Sequence, residues 1–346
     1  MTLQSSGNPI SLQDIGDEAN GTTNSTNTVS LDDASIRGLL SKTAGATNSF
    51  NEYYGVSSEV VLSSSALVNG QSNRLQMTAS SFISSGGTLR IPSNMWVWSD
   101  NVSTAALTID IPCTIINDGY IIGKGGKGGN GQGTSGNTAQ NGEAGGNAIK
   151  INSGISNVTI TNNSGAYIAG GGGGGGAVQN GGDDAGGGGG AGGGNGGYSN
   201  NNHQTNFGAG GQLNAEGADA TGHGSSDSGG EGGGRGGYAF TNTSDSSYRS
   251  GGGGGGRILP ASTQADATSG NVGLFAVGKG GGGGVAGGNG GTAGNTSRGG
   301  GGGGWGAAGG NGNSGGGTGG AAGKAIEDSG NTYTLTNNGT IFGATT

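Results

Sequence analysis

The sequence predicts a mostly non-helical protein, with a small β domain followed by a glycine-rich polyglycine-II helix sandwich that has short β-hairpin connections. The uneven distribution of glycine is the first observation behind this. Of 93 glycines, nine precede residue 119 and the other 84 lie from there onward, in separate blocks. Such blocks are not ordinary helices or strands, because glycine packs no side chain and loses the most backbone entropy on ordering. Apolar strand-like segments recur between the blocks, which a wholly disordered chain does not predict.

Composition narrows the classes of function. Only 29% of residues are hydrophobic and 10% are charged, so a large conventional core is not expected, yet charge is too sparse for the usual disordered class. The net charge of −8 argues against nucleic-acid binding. Cys113 is the only cysteine and is expected to be a small buried hydrophobe. The sequence supports no catalytic constellation, no metal site and no cofactor.

The first 55 residues form one unit in this interpretation. Ser30 followed by Asp33 resembles a capping box, which predicts a helix over 31–41. A second helix-like piece, 49–55, places three aromatic residues beside a turn glycine. A segment this short is expected to bury little by itself and to dock onto a partner.

Residues 56–122 read as the small β domain. Short β-rich segments alternate there with Ser, Asn, Gly and Pro, which is typical of strands and turns. The predicted strands are 60–62, 74–79, Thr88–Ile91, Trp96–Trp98 and 105–111. Residues 123–346 form the predicted third domain.

A short internal repeat occurs at 114–123, 158–170 and 333–343. Each copy has an apolar segment, an Asn/Asp-Gly type of turn and a second apolar segment, which predicts a β-hairpin. Between them, glycine favours an extended helix with about three residues per turn, whose backbone groups point outward and need partners. Without Cβ atoms, several such helices can approach closely and hydrogen bond sideways. Stacked antiparallel, the tracts would form a slab with a backbone core.

The order of these segments resembles the distal tail-fibre adhesins of T-even-type bacteriophages over roughly residues 88–346. The resemblance is carried by Ile115-Ile116-Asn117 leading into 123–131, by 145–149 and 160–163, by Ala169 followed by the run 170–176, and by 234–240 and 339–343. It implies a polyglycine-II scaffold at a fibre tip, whose loops recognise a surface protein of a Gram-negative host.

The start of the chain departs from that family. Residues 10–15, 30–38 and 50–55 look instead like the start of virion proteins in T4-like phages of cyanobacteria and other aquatic hosts. Residues 1–55 are therefore predicted to be a virion docking segment. The virion-attachment candidates are Ile36, Leu39, Phe50, Tyr53 and Tyr54.

If successive tracts run antiparallel, their connections alternate between two ends of the slab. Connections 149–169, 238–250 and 325–346 are expected beside the β domain, and 132–141, 177–185, 212–228 and 257–277 at the opposite, free end. Binding residues concentrate on loops held by a rigid scaffold. The receptor-binding candidates are Val178, Gln179, Asp183, Asp184, Leu213, His223, Arg257, Ile258, Leu259 and Phe275, followed by Tyr198, His203 and Phe207. Arg257-Ile258-Leu259 is expected to be an exposed apolar pair beside an arginine, whereas Trp305 is expected to pack on the scaffold.

The sequence thus predicts a non-enzymatic tail-fibre adhesin that binds a host outer-membrane protein or surface glycan and other virion proteins. No signal peptide or membrane-spanning stretch is visible, so synthesis in the host cytoplasm and residence on the virion are expected, without membrane insertion. One alternative is a structural virion decoration or filament subunit without receptor binding. Another is an ice-binding or matrix protein built on the same kind of glycine helix.

Overall fold

The computed structural model describes residues 3, 9–20, 22, 26, 28–40, 42–54, 59–131, 139–180, 183–198, 207–220, 249–250, 255–259, 299–312 and 316–346. Two α-helices lie in this part of the chain, α1 (Leu12–Asn20) and α2 (Ala34–Leu39). Short 3-10 turns cover Phe50–Tyr53 and Ala79–Ser81. In the described residues, no helix is long and apolar enough to cross a membrane.

The strands account for most of the regular structure. In chain order they are β1 (Glu59–Val61), β2 (Ala66–Val68), β3 (Gln71–Leu75), β4 (Met77–Thr78), β5 (Thr88–Ile91), β6 (Trp96–Trp98), β7 (Leu107–Ile109), β8 (Thr114–Asn117), β9 (Tyr120–Ile122), β10 (Ile149–Ile151), β11 (Val158–Asn162), β12 (Tyr167–Ala169), β13 (Val178–Asn180), β14 (Asp183–Ala185), β15 (Arg249–Ser250), β16 (Ile326–Glu327), β17 (Tyr333–Asn337) and β18 (Thr340–Phe342). The prediction of a mostly non-helical, β-rich chain is confirmed.

The N-terminal residues form a small helical unit with its own apolar cluster. Leu3, Ile15, Ile36 and Tyr53 are buried together in it. The predicted helix over 31–41 is shorter and begins at Ala34, because Asp33 is its N-cap residue. The prediction of two helix-like pieces was wrong in number, since α1 was missed.

A capping box was the signal for α1. The Ser11 hydroxyl accepts a hydrogen bond from the Asp14 amide at 3.0 Å, and the Asp14 carboxylate accepts one from the Ser11 amide at 2.7 Å. This reciprocal pattern satisfies two amides at a helix start, so the Ser-x-x-Asp spacing at 11–14 could have predicted the helix.

Three sheets wind into a β-solenoid. The first sheet has the order β1-β5-β8-β11-β17, the second β16-β10-β7-β4, and the third β18-β12-β9-β6-β3-β2. Every neighbouring pair in these sheets is parallel except the β2–β3 hairpin. One coil contributes a strand to each sheet in turn, as β7, β8 and β9 do, so the chain passes around three sides.

The internal repeat of the sequence is also a structural repeat, but the hairpins predicted at 114–123, 158–170 and 333–343 are wrong. In each copy the two apolar segments lie in different sheets, and each pairs in parallel with its equivalent in the next copy. Ile115 lies opposite Ile160, which lies opposite Leu335. The Asn-Gly segments therefore turn a corner of the solenoid rather than reverse the chain. Stacking like residues on like residues buries the inward-facing side chains of both strands in the first two copies, which an isolated hairpin cannot do.

A ladder of asparagines holds this corner. The Asn117 side-chain amide donates to the Asn162 side-chain oxygen at 2.8 Å, and the Asn162 amide donates to the Asn337 oxygen at 2.8 Å. Asn117 and Asn162 are fully buried. Each of their side chains thus satisfies the next in the stack, as buried polar groups require.

The solenoid interior is an apolar core of stacked aliphatic side chains. Leu89, Ile115 and Ile160 form one fully buried column, and Val97, Ile121 and Ile168 form another. Cys113 is buried in the same cluster, as predicted, and burial raises the pKa of its thiol to about 11. Because strands beyond residue 122 pair with those before it, the sheets cross the predicted boundary at 122/123.

The glycine segments are packed through their backbones. The central tract, 169–177, donates amide hydrogen bonds to three neighbouring segments, each at every third residue. Gly171, Gly174 and Ala177 donate to Gly146, Glu143 and Gln140; Gly172 and Gly175 donate to Ala191 and Gly188; Gly173 and Gly176 donate to Ala307 and Gly310. The carbonyls of the central tract accept from three further segments, at Gly123, Gly126 and Gly129, at Gly317, Gly320 and Gly323, and at Gly300, Gly303 and Gly306.

We predict that Gly174→Ala lowers the free energy of unfolding by about 1–3 kcal/mol, the usual range for overpacking. A Cβ at this position would collide with the backbone carbonyl of Lys127. Gly38→Ala is the control, because a Cβ there meets nothing within 4 Å and the residue lies in α2. Urea denaturation followed by circular dichroism measures both, and equal stabilities of the two variants would contradict the close packing.

We also predict that Asn162→Ala lowers the free energy of unfolding by about 1–3 kcal/mol, because it leaves buried amide groups of the ladder without partners. Thr161→Ala, at the neighbouring and partly exposed position, should change it by less than about 1 kcal/mol. Thermal unfolding of both variants gives the comparison. A ladder variant as stable as the control would show that the stack carries no net stabilisation.

Candidate functional site

The glycine layer has two distinct ends. At the near end, tract residues 123, 148, 169 and 325 join strands of the solenoid. At the far end, residues 131, 140, 177 and 317 lie away from those strands. Successive tracts run antiparallel. The Gly146 and Glu143 amides bond the Lys124 and Lys127 carbonyls, and the Gly171 and Gly174 amides bond the Gly146 and Glu143 carbonyls, so the numbering rises in one tract as it falls in the next. The expected alternation of connections between two ends therefore holds for 149–169, 177–185 and 325–346.

Leu213 and residues 257–259, which belong to two predicted free-end segments, lie at the near end instead. Leu213 bridges Arg257, and both are buried, at 0% and 3% exposure, as is Ile258 at 0%. Leu259 is partly buried against the same cluster. The prediction that Arg257-Ile258-Leu259 is exposed is wrong.

Tryptophans on the outer face of the third sheet explain this burial. Trp96 and Trp98 project away from the solenoid core, and Ala191, Leu213 and Trp305 cover them. The Arg257 guanidinium lies 4.7 Å from the centre of the Trp98 ring, and the Trp305 indole donates to the Ile258 carbonyl at 2.9 Å. This near-end junction therefore attaches the glycine layer to the solenoid. The packing predicted for Trp305 is confirmed.

The near-end junction holds two cations, of which Arg257 is buried and Lys124 is partly buried. The Lys124 ammonium donates to the Gly193 carbonyl at 2.7 Å, and Arg257 donates to the Gly211 carbonyl. Burial lowers the pKa of Lys124 to about 8, with a further contribution from the neighbouring Arg257. Burial likewise lowers the pKa of Arg257 to about 10. The sequence analysis did not predict the roles of Lys124 and Trp98 in this junction. The Trp-Val-Trp strand is apolar on both faces, which indicates that another part of the protein covers its outer face.

A small sheet lies at the far end. Strands β13 and β14 form an antiparallel hairpin in which Gln179 lies opposite Asp184 and Asn180 opposite Asp183, and β15 pairs in parallel with β14. Val178 is fully buried at the start of the hairpin. The sequence did not predict this hairpin, although it connects two glycine tracts.

Two aromatic residues follow this hairpin in the sequence. Tyr198 and Phe207 are partly buried, and the Lys127 ammonium lies 5.3 Å and 5.9 Å from the centres of their rings. Burial lowers the pKa of Lys127. The structure thus brings two of the candidates together on one cation. His203, His223 and Phe275 lie outside the described residues.

The virion-attachment candidates divide by burial. Ile36 and Tyr53 are fully buried in the helical unit, whereas Leu39 and Tyr54 are partly exposed and Phe50 is 39% exposed. Leu39 also lines a cavity of about 470 Å³ between the helical unit and the first coil of the solenoid. Val60, Phe82 and Ile83 line its other side.

Metal ligands do not cluster in the part of the chain that the structure describes. No group of three or more His, Cys, Asp or Glu side chains lies close enough there to hold an ion.

A β-solenoid that carries a glycine layer is thus the class of protein that the fold defines. The family model "Phage tail fibre adhesin Gp38" matches residues 58–250, more than half of the chain. The chain therefore belongs to the Gp38 family and is a bacteriophage tail fibre adhesin.

One solved structure also aligns with most of this chain. It is the crystal structure of the gp37-gp38 adhesin tip complex of the bacteriophage S16 long tail fibre. The two chains share 18% identity over 90% of each, with a TM-score of 0.35. A comparison with curated proteins gave no match.

The depressed pKa of Lys124 predicts a specific pH dependence of stability. Between pH 8 and the ordinary value of 10.5 the unfolded chain binds a proton that the folded chain has lost, so stability rises with pH. We expect the free energy of unfolding of the unaltered protein, minus that of Lys124→Met, to rise by up to about 3 kcal/mol across this range. Lys150→Met, at an exposed position, is the control and should show no such rise. A difference that is flat with pH would contradict the burial of a charged Lys124.

Proposed function

We propose that this tail fibre adhesin binds a host-surface receptor, an outer-membrane protein or a surface glycan, through the far end of its glycine layer. The observation that supports this most is the division of the layer into two ends. The near end is occupied by the solenoid and the near-end junction. The far end carries a hairpin and the Tyr198–Phe207 pair, and it adjoins connections that differ in length and sequence.

We further propose that the glycine tracts are polyglycine-II helices. A polyglycine-II helix has about three residues per turn, so every third residue should face the same neighbour. The central tract hydrogen bonds in that period to six neighbouring segments, three through its amides and three through its carbonyls. This arrangement is what a threefold helix surrounded on all sides would produce.

Such a scaffold suits receptor binding for a physical reason. Loops that are already held in place lose less conformational entropy on association, so more of the contact energy becomes affinity. Aromatic side chains contribute strongly at such contacts. Tyr198 and Phe207 are therefore the first candidates, together with the hairpin positions Gln179, Asp183 and Asp184. His203, His223 and Phe275, which lie outside the described residues, are also included in this proposal.

The helical unit is proposed as the virion docking segment. Phe50 and Tyr54 expose aromatic surface, and Leu39 lines the cavity beside the first coil. The partner would be another virion protein, and the whole adhesin would reside on the particle. Ile36 and Tyr53 would act indirectly, because they hold the unit together from inside.

A crossed pair of variants tests both surfaces. We expect the purified chain to compete with phage adsorption to its host strain, and the double variant Tyr198→Ser/Phe207→Ser to compete at least about tenfold more weakly. Tyr54→Ser should compete normally but be incorporated less into particles, as measured by quantitative immunoblotting of purified phage.

Two outcomes would contradict the proposal. Undiminished competition by the double variant would remove the far-end site. Failure of the unaltered chain to compete at all would instead favour a structural virion component without receptor binding. Thermal unfolding of each variant shows whether folding is retained.

A further inference from the structure

Asn-Gly pairs recur in this chain and are chemically labile. The backbone nitrogen of the glycine can attack the side-chain carbonyl carbon of the asparagine, because glycine has no Cβ to hinder the approach. Ammonia leaves, a succinimide ring forms, and water opens the ring to aspartate or isoaspartate. The reaction needs a glycine amide and an asparagine side chain that are free to move. Six pairs lie wholly within the described residues, and they begin at Asn69, Asn130, Asn141, Asn195, Asn311 and Asn338.

The glycine amide is held in five of these six pairs. In each of the five it donates a backbone hydrogen bond of 2.8–3.0 Å, which fixes the nitrogen that would have to attack. The donors are Gly131, Gly142, Gly196, Gly312 and Gly339.

The asparagine side chain is held as well in the four pairs of the glycine layer. The Thr318 amide donates to the Asn141 side-chain oxygen at 2.8 Å, and the Thr318 carbonyl accepts from the Gly142 amide at 2.8 Å. Tyr198 brackets Asn130-Gly131 in the same way, at 3.2 Å and 2.9 Å. Two hydrogen bonds must therefore break before such a pair can react. The other side-chain oxygens that accept an amide of a neighbouring segment are those of Asn195 and Asn311.

The sixth pair, Asn69-Gly70, lies at the exposed tip of the β2–β3 hairpin. The two residues have φ of 50° and 75°, as the two-residue turns that favour Asn-Gly require. Among the described residues the Gly70 amide donates no hydrogen bond, and a Cβ on Gly70 would meet nothing within 4 Å. The Asn69 side-chain amide makes one bond, to the Leu213 carbonyl at 2.9 Å. Opening of this turn breaks fewer contacts than opening of a glycine tract.

We propose that Asn69 is the preferred site of spontaneous deamidation among the described Asn-Gly pairs of the folded chain. The Gly70 backbone nitrogen bonds to Cγ of Asn69 as the bond from Cγ to Nδ2 breaks. The Gly70 amide proton passes to hydroxide, and the departing ammonia takes a proton from water. Hydrolysis of the succinimide consumes one further water molecule, so the reaction needs no oxidant, reductant or enzyme.

The product releases the hairpin from the near-end junction. Leu213 is fully buried and packs with Trp98 in that junction. A carboxylate at position 69 has lost the N–H donor and can only accept, so it repels the Leu213 carbonyl instead of bonding it. Deamidation thus acts on the attachment of the glycine layer to the solenoid. This inference does not depend on receptor binding.

Peptide mass spectrometry of the full chain, incubated at mildly alkaline pH, tests the site. The rate at each Asn-Gly pair is divided by the rate at the same pair in urea, where local sequence alone sets it. We expect Asn69 to retain at least about ten times more of its unfolded rate than Asn130 or Asn141, because two hydrogen bonds must break at each of those. Equal retention at the three positions would overturn the proposal.

Thr318→Pro tests the reason for the protection. Proline removes the amide that bonds Asn141 but keeps the carbonyl that accepts from Gly142. We expect faster deamidation at Asn141 and an unchanged rate at Asn69. An unchanged rate at Asn141 in the folded variant would contradict the protective role of the hydrogen bond. Should this variant not fold, the rate ratios of the unaltered chain decide.

Asn69→Asp tests the release of the hairpin, because it is one of the two reaction products. We expect it to unfold at a lower temperature than the unaltered chain. Asn94→Asp is the matched control, since Asn94 is also exposed with a positive φ, 64°, but is not part of the near-end junction. Equal unfolding temperatures of the two variants would overturn the proposed release.

Discussion

Main-chain hydrogen bonding is the interaction on which this structure depends, and it passes without a break from the solenoid into the glycine layer. Strands β9 and β12 are parallel neighbours, with Ile122 opposite Ala169. The Gly123 amide then bonds the Ala169 carbonyl, and the Gly126 amide bonds the Gly172 carbonyl. The ladder continues while its period changes from two residues to three. Without Cβ atoms, neighbours can approach a tract from every side rather than from two.

The near-end junction gives this continuous backbone a defined orientation. Without a further contact, the glycine layer would be attached to the third sheet only where its tracts continue directly from the strands. Trp96 and Trp98 add a side-chain contact, which Trp305 and Leu213 complete from the layer. Two cations, the partly buried Lys124 and the buried Arg257, donate to glycine carbonyls there. Carbonyl acceptors and the Trp98 ring thus compensate part of the cost of burying charge.

The two ends of the solenoid differ in what covers them. The first coil has a helical unit beside it and a cavity between the two. The last coil presents an uncharged strand edge over a partly exposed core. The far end of the glycine layer is a third surface, well separated along the tracts. These surfaces are distinct in chemistry, since one is helical and apolar, one is an open backbone edge, and one carries aromatic and polar loops.

Local sequence determined which segments become strands, tracts and turns. Strands Thr88–Ile91 and Trp96–Trp98, the buried Cys113 and the repeated Asn-Gly segments could all be predicted, because each depends on neighbouring residues. Tertiary structure alone decided the partners. Ile115 pairs with Ile160 rather than within a hairpin, because a parallel stack buries both copies. Leu213 and Arg257 are buried because Trp98, distant in sequence, needs cover. A local pattern encodes a conformation, whereas register and burial are set by residues far along the chain.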